Sequence, residues 1–275
     1  MLKALMLTDA HCHPCDLSAL YPSAEEERRR LNCACAASAW NLEQVEYHEA
    51  LARNAAAENA PPVIRCFAVH PQLPAANESA GGDIFGILIP LLDTLAREGR
   101  LDAIGEAGFD LFNQKFRDTE KIQDEVFLAH VETALRYGLP MVIHVRRAMH
   151  KIFAHTGVLK KLPAVIFHSW PGTGEDAASL LRRGVNAYFS FGSPIMLNHK
   201  EAIRCCAVFP AERILLETDA PFQPPRGKEF STWAELPDIC AAAAKLRAEA
   251  GNSGGTAEEL EAITAENFFR AYGKN

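Results

Sequence analysis

Four histidines and two acids in this sequence have types and spacings that could hold cations. His11 and His13 form an H-x-H pair. In extended backbone alternate residues point the same way, so both imidazoles face one side and Cys12 the other. Glu106 closes Ile104-Gly105-Glu106, and His144 lies near the end of Val142-Ile143-His144-Val145. His168 ends Val165-Ile166-Phe167-His168, and Asp219 ends Leu215-Leu216-Glu217-Thr218-Asp219. Taken singly, a histidine in an apolar run is more often a hydrogen-bonded core residue, and an acid after a strand more often a turn or cap. Gathered and buried together, the six are costly unless a cation neutralises them. Mixed imidazole and carboxylate donors suit zinc, manganese or iron, and with water also magnesium. Six ligands exceed one tetrahedral centre, so two divalent ions bridged by Glu106 are the economical reading. The chemistry of such a pair is hydrolysis by an activated water.

These residues need a scaffold that brings them to one place. Short apolar runs of strand length occur at Ala4–Thr8, Leu31–Ala37, Val63–Val69, Leu101–Gly105, Met141–Val145, Ala164–Phe167, Asn186–Phe191 and Ile214–Glu217. Most are continuous, as in a parallel sheet buried on both faces. Helical patterns lie between them, at about 42–59, 84–98, 119–138, 147–156, 174–183 and 199–207, with two more at about 232–250 and 257–271. Eight strands, nearly all followed by a helix, predict an α/β fold of the closed (β/α)₈ TIM-barrel type, with a doubly wound open sheet as the competing architecture. The six candidates then share the face formed by the carboxyl ends of the strands. The stretches Ala75–Asp83 and Gly251–Gly255 read as loops.

Composition bounds the rest. With 48% apolar and 23% charged residues the chain is an ordinary globular protein, neither disordered nor fibrous. The strand ladder uses nearly all 275 residues, so a single domain spanning 1–275 is expected. Eight cysteines without a leader pattern point to reduced thiols and a cytoplasmic setting. No apolar run approaches the ~20 residues of a membrane span, so no membrane partner is expected. The net charge of 28 − 35 = −7 argues against a surface that is basic all over, not against a local basic patch. Two divalent ions would offset four of those charges.

At this level of detail the chain resembles the TatD-type deoxyribonucleases, a branch of the amidohydrolase-like metal-dependent hydrolases. The matching motifs are Thr8-Asp9-Ala10-His11-Cys12-His13, Val69-His70-Pro71, Ile104-Gly105-Glu106-Ala107-Gly108-Phe109-Asp110, Pro140-Met141-Val142-Ile143-His144-Val145-Arg146, Phe167-His168-Ser169-Trp170-Pro171-Gly172, Glu217-Thr218-Asp219-Ala220-Pro221 and Thr264-Ala265-Glu266-Asn267-Phe268. They stand in the family's order over most of the chain. The resemblance implies a distorted TIM barrel and a divalent-metal phosphodiesterase, often a 3′→5′ exonuclease on DNA. It implies one metal on His11, His13, Glu106 and Asp219, and a second on Glu106, His144 and His168. Asp219 can also take a proton from the attacking water. His70 and Arg146 are the candidate phosphate contacts, against a plain loop histidine and an arginine paired with a helix acid. The expected substrates are DNA or RNA ends. The alternatives are a small ester or amide substrate, or a metal-bound barrel that only binds; the chain is expected to be a monomer or weak oligomer.

Three stretches depart from the family pattern. Gln72 stands where a second histidine is usual. Leu111-Phe112 replaces a tyrosine-containing loop. Arg226-Gly227-Lys228-Glu229-Phe230-Ser231 lacks the usual Asn-Glu-Pro. All three are expected to shape the substrate pocket. Arg28-Arg29-Arg30 after Glu25-Glu26-Glu27 reads as a solvated helix end, and His130, His150, His155 and His199 as packing or surface residues of helices.

Overall fold

The computed structural model describes residues 6–76 and 83–274. Eight parallel strands follow one another around a sheet in sequence order: β1 (Leu7–Cys12), β2 (Cys33–Ala39), β3 (Val63–Phe67), β4 (Ala103–Asp110), β5 (Met141–Arg146), β6 (Val165–Phe167), β7 (Ala187–Phe191) and β8 (Ile214–Leu216). This is the (β/α)₈ barrel the alternation predicts. The helices over Leu42–Ala57, Glu120–Tyr137, Met149–Leu159, Gly174–Arg182, Lys200–Val208, Leu236–Glu249 and Ala257–Ala271 fall within a few residues of their expected ranges. Short helices at Pro14–Leu20, Ala24–Arg30 and Gln114–Arg117 are additions, too brief for a periodicity to show. The expected start of the first strand at Ala4, and residues 77–82 of one expected loop, lie outside the described residues.

Two cores divide along the pleat. Cys12, Cys33, Cys35, Ile104, Ala107, Phe109, Ile143 and Phe167 pack outward against the helices. Ala10, Ala36, Ile64, Cys66, Val142, Ile166, Tyr188 and Leu215 fill the interior. Phe268, Ala271 and Tyr272 of the last helix pack onto that interior set, and the Tyr272 hydroxyl donates to the Ala10 carbonyl at 2.7 Å. Asn267 donates to the carbonyls of Ala211 and Ile214 at 2.7 and 2.9 Å. The Thr264–Phe268 motif is therefore a structural clasp.

Two irregularities in strand register explain how the pleat serves the site. Between Asp9 and Cys12, β1 holds one residue more than the facing stretch of β2. Between Ile104 and Ala107, β4 does the same against β5. Each bulge inverts the in–out alternation downstream. It turns His11 inward on β1, with His13 one residue past its end, and Glu106, Gly108 and Asp110 inward on β4. The expected strand Leu101–Gly105 is thus too short: β4 runs on to Asp110, paired with Arg146.

β8 meets β1 through side chains and loop backbone. The Thr218 N–H and hydroxyl donate to the two Asp9 carboxylate oxygens at 3.0 and 2.6 Å, and the Asp219 N–H donates to the His11 carbonyl at 3.0 Å. Burial pushes the Asp9 carboxyl up to about 7 against those bonds.

Arg28 corrects the expectation of a solvated basic run. It is fully buried, donates to the carbonyls of Cys33 and Pro61 at 2.6 and 2.9 Å, and is gripped by Glu25. A guanidinium with five donors can tie two chain segments in this way.

His130 is buried in the helix Glu120–Tyr137. Its Nε2 accepts the Val69 N–H at 2.9 Å, and its Nδ1 faces the Val126 carbonyl at 2.6 Å. Burial pulls its pKa down to about 4. The unfolded chain takes up a proton near 6.5 and the folded chain only near 4, so this neutral ring stabilises the fold above pH 6.5 and loses that contribution as pH falls toward 4. Between pH 7.5 and 5 the expected loss is about 2 kcal/mol. Urea titrations of the wild type and His130→Gln should differ in pH slope by that amount; equal slopes would refute the assignment.

Candidate metal centre

Glu106 is the hub of the barrel mouth. Its Oε2 lies 3.3 Å from His11 Nε2 and 3.7 Å from His13 Nε2. Its Oε1 lies 2.6 Å from His144 Nδ1, 2.8 Å from His168 Nε2 and 3.3 Å from His70 Nε2. Asp219 Oδ1 faces His11 Nε2 and His13 Nε2, both at 3.5 Å. The structure thus brings together all six residues that the sequence singled out, with His70 beside them.

The electrostatics show what this group requires. Burial works against ionising Glu106, yet His168, His70 and His11 hold it well below the usual carboxylate range. Asp219 is likewise lowered against its burial by His13, His11 and His168. In return, and against their own burial, His13 is raised by Asp219 and Glu106, His144 by Asp110 and Glu106, and His168 well up by Glu106 and Glu217. Ionised carboxylates in a dry site demand positive charge. Divalent cations meet the demand and leave the imidazoles neutral.

The donor geometry fits cations. Ligand atoms of His11, His13 and Glu106 lie within 4.8 Å of one another, as do those of His11, His168 and Asp219 and those of His70, Glu106 and His144. His11 Nε2 is buried without a hydrogen-bond partner, pointing between two carboxylates. His70 differs from the others. Its Nδ1 accepts the Gln72 N–H at 3.2 Å and burial lowers its pKa, so the neutral ring carries its proton on Nε2, toward Glu106. That tautomer is a donor to an anion, not a lone pair for a metal.

Behind the imidazoles stands a layer of partners. His11 Nδ1 meets the Ser38 hydroxyl at 3.2 Å, His144 Nε2 meets Asp110 Oδ2 at 3.4 Å, and His168 Nδ1 lies 3.5 Å from Glu217 Oε1. Such partners fix ring orientation and tautomer. Asp110 is held in turn by Gln72 Nε2 at 2.7 Å and the Phe112 N–H at 2.9 Å. Two of the three departures from the family pattern therefore converge on one orienting carboxylate. Sequence reasoning passed over Asp110 although it stood in a quoted motif, and missed Gln223. The Gln223 amide donates to Asp219 Oδ2 at 2.7 Å and to the Ser169 hydroxyl at 3.0 Å. Its only sequence signal is its place four residues after Asp219, between Pro221 and Pro224.

The cluster opens into a cleft of about 990 Å³. Lys115, Arg146 and Lys200 stand in its walls, with Trp40, Phe116 and Phe222. Arg146 takes no helix acid as partner among the described residues; its guanidinium lies 3.6 Å from the Phe112 ring centroid, with Arg147 4.5 Å from the same centroid. His199, read as a helix residue, lines the cleft. Lys228 is absent from the described walls and pairs with the buried Glu235, so this third departure does not shape the cleft wall.

Comparison with known proteins agrees with this geometry. The family described as TatD related DNase matches residues 8–273. A Cronobacter sakazakii protein named 3′-5′ ssDNA/RNA exonuclease TatD is 32% identical over 187 residues, covering 67% of this chain and 70% of that one. The Escherichia coli K12 protein named uncharacterized metal-dependent hydrolase YcfH is 30% identical over 189 residues, 66% of each chain. The solved structure of YJJV, a TatD homolog from Escherichia coli K12, superposes with a TM-score of 0.79 over 97% of this chain and 98% of that one, at 21% identity. A family match across nearly the whole chain places this protein in the TatD-related DNase family of metal-dependent hydrolases.

Proposed function

We propose that this protein is a phosphodiesterase that removes nucleotides from the 3′ ends of single-stranded DNA or RNA. Two divalent cations, magnesium or manganese in the working enzyme, are held by His11, His13, Glu106 and Asp219 and by Glu106, His144 and His168. The carrying observation is one buried carboxylate, Glu106, shared by two sets of imidazoles on opposite oxygens. When bound, the cations neutralise charge on the phosphate and lower the pKa of a water. The protein supplies the rest. Asp219 accepts the proton of the attacking water, and Gln223 fixes its carboxylate by binding Oδ2. His70, protonated on Nε2, donates to a phosphate oxygen at the rim. Arg146, steadied by Phe112, offers a guanidinium for bidentate phosphate binding. An open cleft with three cationic side chains suits a nucleic-acid strand better than a small amide.

The test is digestion of a 5′-labelled single-stranded oligonucleotide with added magnesium or manganese. A ladder of labelled products shortening one nucleotide at a time from the 3′ end is expected. Intact oligonucleotide, with turnover of a small ester or amide instead, refutes the reading. Asp110 is proposed as the residue that fixes the His144 tautomer. Asp110→Asn should weaken manganese binding about 10–100-fold by titration calorimetry, with the fold intact by circular dichroism; unchanged affinity would remove Asp110 from this role.

A further inference from the structure

Phe222 is an expensive residue in an unusual position. It follows Asp219 by three residues and is 58% exposed, among the most exposed large apolar side chains described. Its ring stands edge-on to His13, with centroids 5.0 Å apart and planes at 73°. It lines the cleft, as does the exposed Trp40. The backbone beneath the ring is tied on both sides. The Phe222 N–H donates to the Asp219 carbonyl at 2.7 Å, and the Ser231 N–H donates to the Pro221 carbonyl at 3.2 Å. Gln223 is tied to Asp219 and Ser169, and Pro224 follows. The chain thus holds a flat apolar surface open to solvent, one residue's width from the candidate ligands.

We propose that Phe222 is the stacking platform of a nucleobase subsite, receiving the base of the 3′-terminal nucleotide while its phosphate lies at the Glu106 cluster. This rests on the phosphodiesterase reading above. The chemistry selects a base over other apolar groups. A nucleotide places a planar aromatic one sugar away from its phosphate, and here a free ring adjoins a phosphate-sized charged centre by the same order of distance. The cationic groups of the cleft, Lys115, Arg146 and Lys200, leave room for further phosphates along the strand. Stacking needs a base that is not already paired, which favours a single-stranded end. Every base has a π-face, so little sequence preference follows.

The experiment uses the full chain with manganese and two 5′-labelled oligothymidylates. One ends in thymidine and the other in a tetrahydrofuran abasic residue, and removal of the last residue is timed. The wild type should cut the thymidine end with a kcat/KM at least about tenfold higher, the value of one stacked base. Phe222→Ala should abolish that preference, mainly by raising KM for the thymidine end. Phe222→Trp should restore the preference, and Phe222→Leu should not. Binding of the same oligonucleotides without metal, read by fluorescence anisotropy, should fall in parallel with the loss of the ring. If Phe222→Ala keeps the wild-type preference, the subsite is refuted while the phosphodiesterase reading stands. If the wild type cuts neither end, both fall together.

Discussion

Glu106→Gln should lower hydrolysis of single-stranded oligonucleotides by at least about 10³-fold, because it removes the charge on which the whole site converges. The amide keeps the size of the carboxylate, so the change tests charge and coordination rather than packing. Five imidazoles face Glu106 within 3.7 Å, and the substitution takes away the one carboxylate that all five share. Metal content should fall in the same variant: mass spectrometry of the purified proteins should find two ions per chain in the wild type and at most one in Glu106→Gln. The circular dichroism spectrum should be retained, since Glu106 makes no backbone tie among its described contacts. Wild-type turnover with a full metal load in Glu106→Gln would end the two-cation assignment.

Gly108→Ala tests the scaffold rather than the ligands. Gly108 has φ +142° on β4, and a methyl group there meets the His144 carbonyl oxygen at 2.0 Å. Neither backbone can yield cheaply, because β4 and β5 are paired at that level. The substitution should cost about 3 kcal/mol or more in urea unfolding, through strain and loss of the ladder. It should also displace His144 and so weaken manganese binding. Gly157→Ala is the control with the opposite sign. Gly157 lies in the helix Met149–Leu159, and nothing stands within 4 Å of the added methyl. Lower backbone entropy in the unfolded chain should raise stability by about 0.5–1 kcal/mol. Equal effects of the two substitutions would show that the close strand approach at Gly108 is not what limits the fold.

Much of this was legible in the sequence, for reasons that differ by residue. The barrel was readable because its strands are short continuous apolar runs and its helices long enough to show a period. His144 and His168 were readable because a polar residue ending an apolar run has one direction to point. The bulges were not readable. They depend on which residues of two strands pair, a property of neighbours distant in sequence. So β4 seemed to stop at Gly105, and the inward course of Glu106, Gly108 and Asp110 was hidden. Gln223 and Arg28 were unreadable for a related reason. Their roles lie in the atoms they reach, and neither an amide in a proline-flanked turn nor an arginine in a charged run reveals its partner.

The way β8 joins β1 sets the order in which the site can come into being. A ribosome releases His11 and His13 early, but Asp9 and its partner Thr218 are 209 residues apart. Tyr272 and the Ala10 carbonyl it binds are 262 apart. A chain without the last strand and the last helix would leave β1 open along one side of any sheet it formed. Its buried acids lack the Asp219 end of their cluster. The candidate metal centre is therefore complete only once β8 has joined β1. Stalled or truncated chains ending before residue 214 present an unsatisfied strand edge, the surface by which incomplete sheets recruit one another. The site is thus as non-local as the fold: its first ligands and its last are joined only by the closure of β8 and the final helix onto β1.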